Sequence, residues 1–202
     1  MTACQQFQPG DLLFFWGTDT VSRVIRRYTR GPSHVGGMVD FRWLGRDKRT
    51  ERLLVESTTL IAGRPCYIRK IPFAGVQAQV ATQRIDDYMQ NGGRVELWRY
   101  SDGWELSDSE QQFLSRYAWK ALGRPYDKRQ AIGSGLQFGK HILARFGIGK
   151  ANYYRYFCSE LWAEFNQKLG RMNISNPSNW SPAELREWMG ETGVMECVRE
   201  WR

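Results

Sequence analysis

Cys158, His34 and Glu56 are the residues of this sequence whose types and settings suit joint chemistry. Cys158 lies in Tyr156-Phe157-Cys158-Ser159-Glu160-Leu161-Trp162, where a run of aromatics gives way to a helical pattern. Cys158, Leu161, Trp162, Phe165 and Leu169 recur at helical spacing, and Gly170 follows as a stop signal. This spacing predicts that Cys158 sits in the first turn of an amphipathic helix. A helix N-terminus carries about half a positive charge and unpaired N–H groups, and both favour a thiolate over a thiol. The competing reading is a small core hydrophobe, the ordinary role of an intracellular cysteine. Of the 2 histidines, His34 is the better placed base. It lies in Gly31-Pro32-Ser33-His34-Val35-Gly36-Gly37, which reads as a loop feeding a strand with the imidazole at its first residue. Glu56 ends the apolar run Leu53-Leu54-Val55, where a charge is costly unless it is paired. The three residues read as nucleophile, base and orienting acceptor. His141 sits on the polar side of a later segment and is the weaker base.

Around these residues, in order, stand Gly10-Asp11-Leu12-Leu13-Phe14, Ser33-His34-Val35-Gly36, Val55-Glu56, Gly123-Arg124-Pro125-Tyr126-Asp127, Phe157-Cys158-Ser159-Glu160-Leu161 and Ser181-Pro182-Ala183-Glu184-Leu185. This ordered set resembles the YiiX-like branch of the NlpC-type cysteine hydrolases, relatives of the lecithin:retinol acyltransferase-like proteins. The resemblance runs from about Gly10 to about Leu185. It implies a circularly permuted papain-like fold with histidine before cysteine. It also implies Cys158 as nucleophile, His34 as base, Glu56 as third polar residue and Tyr126 as a tyrosine lining the site. The stretch between Tyr126 and Cys158 is longer than the simplest pattern of that family.

Composition bounds the alternatives. The chain has 202 residues, enough for one domain with a substantial core. The expectation is a single domain over 1–202 with a helical insert at about 130–149. Lysine and arginine exceed aspartate and glutamate by 29 − 21 = +8, which favours an anionic partner such as cell-wall polymer or a phospholipid surface. Nucleic acid rests on charge alone and is the weakest of these. The 4 cysteines form no close pair, so neither a zinc ribbon nor a disulfide framework is expected, and neither is a metal or other cofactor. The start shows no basic-then-apolar signal pattern and no run of about 18 apolar residues occurs, so a cytoplasmic place of synthesis is expected, with delivery to a wall substrate by other machinery.

The elements that must position the site follow from periodicity. Strands are expected at Asp11–Trp16, from His34, at Arg52–Ser57, Ile68–Phe73, Gly75–Ala81, Val95–Arg99 and Val194–Trp201. A helix is expected over Asp19–Tyr28, with Val21, Val24, Ile25 and Tyr28 on one face and Arg23, Arg26 and Arg27 on the other. That basic face leads into the His34 loop; Arg27, with Ser33 and Tyr126, is a candidate substrate contact, and a solvated face is the plainer alternative. Gly36-Gly37 suggests close approach of another backbone or of substrate. Further helices are expected at Thr82–Gln90, after a Ser107 or Asp108 cap, and after Ser181-Pro182-Ala183-Glu184. The segment Ile132–Phe146 is loosely amphipathic: a lid, a membrane-touching element or a plain helix. Such alternation fits an α+β domain built on an antiparallel sheet or small barrel packed against helices.

The expected activity is hydrolysis of an amide, first of all a peptide bond of peptidoglycan. The alternatives are acyl-lipid hydrolysis or transfer, and a non-catalytic module of a virion or secretion assembly.

Overall fold

The computed structural model describes residues 7–44, 52–59, 64–126 and 157–202. Residues 45–49, the insert expected at about 130–149 with His141, and Tyr153 to Tyr156 lie outside the described residues.

The elements run β1 (Leu12–Trp16), α1 (Thr20–Thr29), β2 (His34–Asp40), a 3-10 turn (Phe41–Leu44), β3 (Arg52–Thr58), β4 (Gly75–Gln79), α2 (Ala81–Gln90), β5 (Arg94–Tyr100), α3 (Asp108–Ala121), α4 (Cys158–Lys168), a 3-10 turn (Pro177–Asn179), α5 (Pro182–Glu191) and β6 (Met195–Trp201). The fold class is α+β. The strands form one open six-stranded sheet in the order β4-β3-β2-β1-β5-β6. Every pairing is antiparallel. Ile68–Phe73, expected as a strand, instead contains part of a turn at Tyr67–Arg69. Cys66 N donates there to Ile71 O, and Lys70 N to Cys66 O, so the chain folds on itself before β4.

Both faces of the sheet are covered, which is why β2 is buried along its whole length. Alternate residues of the central strands serve different cores. Leu12, Phe14, Val35, Val39 and Val55 pack with α3, α4 and α5. Leu13, Phe15, Met38, Leu54 and Leu97 pack with Ala81, Ile85 and Tyr88 of α2. Helix starts follow the expected cap chemistry. Ser107 and Ser181 accept from the N–H groups of Glu110 and Glu184, whose carboxylates accept from the serine N–H groups in return.

Gly37 seats the helix that carries Cys158. A Cβ at Gly37 would stand 2.4 Å from the Trp162 ring, so the approaching group is a side chain, not a second backbone or a substrate. At Gly36 the Leu54 and Glu56 side chains take the corresponding space. Gly37→Ala is therefore expected to lower stability by about 1–3 kcal/mol through overpacking. A shift of the urea midpoint with unchanged slope would show it; an unshifted midpoint would mean that α4 does not rest there.

Candidate active site

Three elements converge on His34. As the first residue of β2, opposite Phe15 in β1, it lies on the α2 face, where its ring sits 5.6 Å from the Phe15 ring. Glu56 of β3 is paired in register with Gly36, so its side chain emerges on the same face as His34. The His34 Nε2 to Glu56 Oε2 distance is 2.6 Å. Cys158, first residue of α4, comes from the helices on the other face and lies near enough to the His34 side chain to act on its protonation. With Nε2 held by Glu56, Nδ1 is the ring nitrogen left for the sulfur.

A fourth residue completes the chain of contacts. Arg84 of α2 donates to Glu56 through Nε at 2.7 Å and through a terminal nitrogen at 3.2 Å. Its guanidinium also lies 5.1 Å from the Tyr88 ring centre. His34, Glu56, Arg84 and Cys158 are all buried. Arg84 was not singled out in the sequence. Its signal was its place between Ala81, Ile85 and Tyr88 on the apolar stripe of a short helix, where a charge needs a partner.

The electrostatics follow from burial opposed by neighbours. Burial pulls the His34 pKa down. The charge of the Cys158 sulfur, its hydrogen bond and the Glu56 carboxylate outweigh this and lift it from 6.5 to about 9. Burial pushes Glu56 up, while the Arg84 charge and then His34 pull it down from 4.5 to about 2. Tyr88 is pushed above its ordinary value, chiefly by burial.

These directions set a pH window. His34 has the higher pKa when folded, so its contribution to stability is complete below about pH 6.5 and is lost as pH rises through about 9. Glu56 has the lower pKa when folded, so its contribution is present above about pH 4.5 and is lost as pH falls through about 2. The His34 ring protons, followed by NMR, are expected to titrate near pH 9 and to titrate lower in Cys158→Ala and in Glu56→Gln. A midpoint near 6.5 in all three proteins would break the assigned network.

The other candidates lie around this centre. The Ser33 hydroxyl is buried and held in the turn before β2: it donates to Phe15 O at 3.2 Å and accepts from Gly17 N at 3.0 Å. Arg27 is exposed and lines an open cleft of about 480 Å³ with Trp16, Arg23, Arg26, Arg30 and Gly31. Tyr126 follows Pro125, which bridges to Gly75 at the outer edge of β4, so β4 and β3 lie between that segment and β2. Its ring is partly buried against the larger core. Among the described residues, no group of three or more His, Cys, Asp and Glu could hold a metal ion.

Comparison with known proteins gives a fold relation. The chain resembles the crystal structure of the metalloprotein YiiX from Escherichia coli O157:H7, with a TM-score of 0.53 and 22% identity over 95% of this chain and 87% of that one. The fold is YiiX-like. No protein-family model matches the chain, and no curated protein matches it in sequence.

Proposed function

We propose that this protein is a cysteine hydrolase of the permuted papain-like kind, acting on an amide or ester through Cys158, His34 and Glu56. The observation that carries this reading is the buried series from the Cys158 thiol through His34 and Glu56 to Arg84. A core cysteine needs no imidazole beside it, and an imidazole needs no buried carboxylate fixed by a buried guanidinium. In the reaction the Cys158 sulfur attacks the carbonyl carbon, and the His34 imidazolium gives its proton to the departing amine or alkoxide. His34 then takes a proton from water, which hydrolyses the thioester and frees the sulfur. Glu56, fixed by Arg84, sets the tautomer and orientation of the ring. The Cys158 N–H, in the first turn of α4, is suited to hold the developing oxyanion. The first substrate class is the peptide of cell-wall peptidoglycan, which rests on the family resemblance and on the net charge of +8.

YiiX is described as a metalloprotein. The described residues here do not fit such a site: Glu56 is committed to Arg84 and His34, and no cluster of three ligands stands nearby.

Thiol reactivity tests the reading. Cys197 is exposed, whereas Cys158 and Cys66 are buried. If accessibility alone governs reaction, iodoacetamide at pH 6 labels Cys197 before Cys158. An activated Cys158 is expected to label faster than Cys4, Cys66 and Cys197, and its labelling to slow in His34→Ala. Slow labelling of Cys158, unchanged by His34→Ala, would favour a non-catalytic module. Incubation with cell-wall fragments and with acyl lipids, followed by mass spectrometry, then identifies the bond.

A further inference from the structure

We propose that α1 is a peripheral membrane-docking helix that seats the protein on a bilayer containing anionic phospholipid. The helix turns its apolar side to solvent: Val21 is 66% exposed, Val24 49% and Tyr28 58%. With Ile25 these residues fall within about a third of the helix circumference, given 3.6 residues per turn. Ser22 is the buried residue of the helix. A helix belonging to the core would do the reverse and bury that stripe.

The opposite side is cationic. Arg23, Arg26 and Arg27 lie there, Arg30 follows at the C-cap, and Thr20–Thr29 contains no acidic residue. Arg26 is anchored by donating to Gly17 O at 3.0 Å. The four arginines line the open cleft with Trp16 and Gly31, which adjoin Phe15 and the loop leading to His34. An arginine-rich face opposite an exposed apolar face, on a helix of low overall hydrophobicity, describes a helix that lies in the headgroup plane. A purely polyanionic partner, such as nucleic acid or a wall polymer, would engage the arginines and leave Val21, Val24 and Tyr28 in water. A lipid surface takes both: the apolar stripe enters the acyl boundary and the arginines meet phosphates. No helix among the described residues is long and apolar enough to cross a membrane, so this contact would be peripheral.

This inference does not depend on the catalytic reading. The full-length protein is sedimented with vesicles of phosphatidylcholine alone and of phosphatidylcholine mixed equally with phosphatidylglycerol. It is expected to bind the mixed vesicles and not the neutral ones, and to be released as salt shortens the screening length from about 10 Å to about 3 Å. Arg23→Glu and Arg27→Glu are each expected to weaken binding at least about fivefold. Val24→Asp and Tyr28→Asp are expected to abolish it with unchanged thermal melting; if either shifts the melt, the serine variants take its place. Cys158→Ala is expected to bind as wild type. Absence of wild-type binding, equal binding to neutral vesicles, or full binding by the Val24 and Tyr28 variants would each overturn the proposal. Vesicle binding without selective alkylation of Cys158 would sink the hydrolase reading alone, and the converse would sink docking alone.

Discussion

Cys158→Ala is expected to lower turnover by at least about ten-thousand-fold on whichever amide or ester the site accepts, because every bond-making step passes through the sulfur. The fold should survive. The substitution removes one atom from a buried position, a change costing on the order of 1 kcal/mol. It also removes the sulfur, the strongest influence raising the His34 pKa, so the imidazole should lose its proton at lower pH even though the Glu56 contact remains. The variant therefore has two readouts: product by mass spectrometry and the His34 titration by NMR. Retained turnover in Cys158→Ala alongside inactive His34→Ala would point to a hydrolase whose nucleophile is not this thiol.

The second large effect is on stability. Arg84→Ala is expected to cost about 3–5 kcal/mol, because it leaves the buried Glu56 carboxylate with His34 as its charged partner. The loss should depend on pH. Above about pH 4.5 the wild type holds Glu56 ionised against Arg84, and the gap between wild type and variant is widest there. As pH falls towards about 2, Glu56 takes up a proton in both proteins and the gap closes. Glu56→Gln keeps the shape without the charge and is expected to cost about 10- to 1000-fold in rate through loss of imidazolium stabilisation. Replacing both partners, Glu56→Gln with Arg84→Met, should be milder for folding than Arg84→Ala alone, since no buried carboxylate is then left without its guanidinium. Denaturant melts across this pH range test the series. A pH-independent loss below about 1 kcal/mol for Arg84→Ala would mean that the guanidinium does not hold Glu56.

Local signals were the legible part of this fold. Ser107 with Glu110 and Ser181 with Glu184 announce helix starts because a capping box lies within four consecutive residues. The Cys158 helix and the His34 strand were readable for the same reason: their periodicities need no distant partner. Arg84 was not, because its meaning lies in Glu56, 28 residues away on another element. In isolation it is one more arginine on a short helix. Ile68 to Phe73 misled for the opposite reason. Its apolar residues suit a strand, but the turn at Tyr67–Arg69 and the Cys66–Ile71 hydrogen bond fold it back. In α1 the periodicity correctly grouped Val21, Val24 and Tyr28. Periodicity tells which residues share a side, and only the packing tells which way that side points.

The order of the strands has a consequence for biosynthesis. His34, Glu56 and Arg84 all belong to the earlier part of the chain, on β2, β3 and α2, while Cys158 opens α4. The sheet gains β6, its last strand, only after α4 and α5 have been made. Because a ribosome delivers the chain from its N-terminus, the imidazole and its buried partners are made first, and the sulfur joins them when α4 docks over Gly37. A nascent chain halted before α4 carries His34, Glu56 and Arg84 without Cys158. The topology thus brings the sulfur to the imidazole only after α4 has been made.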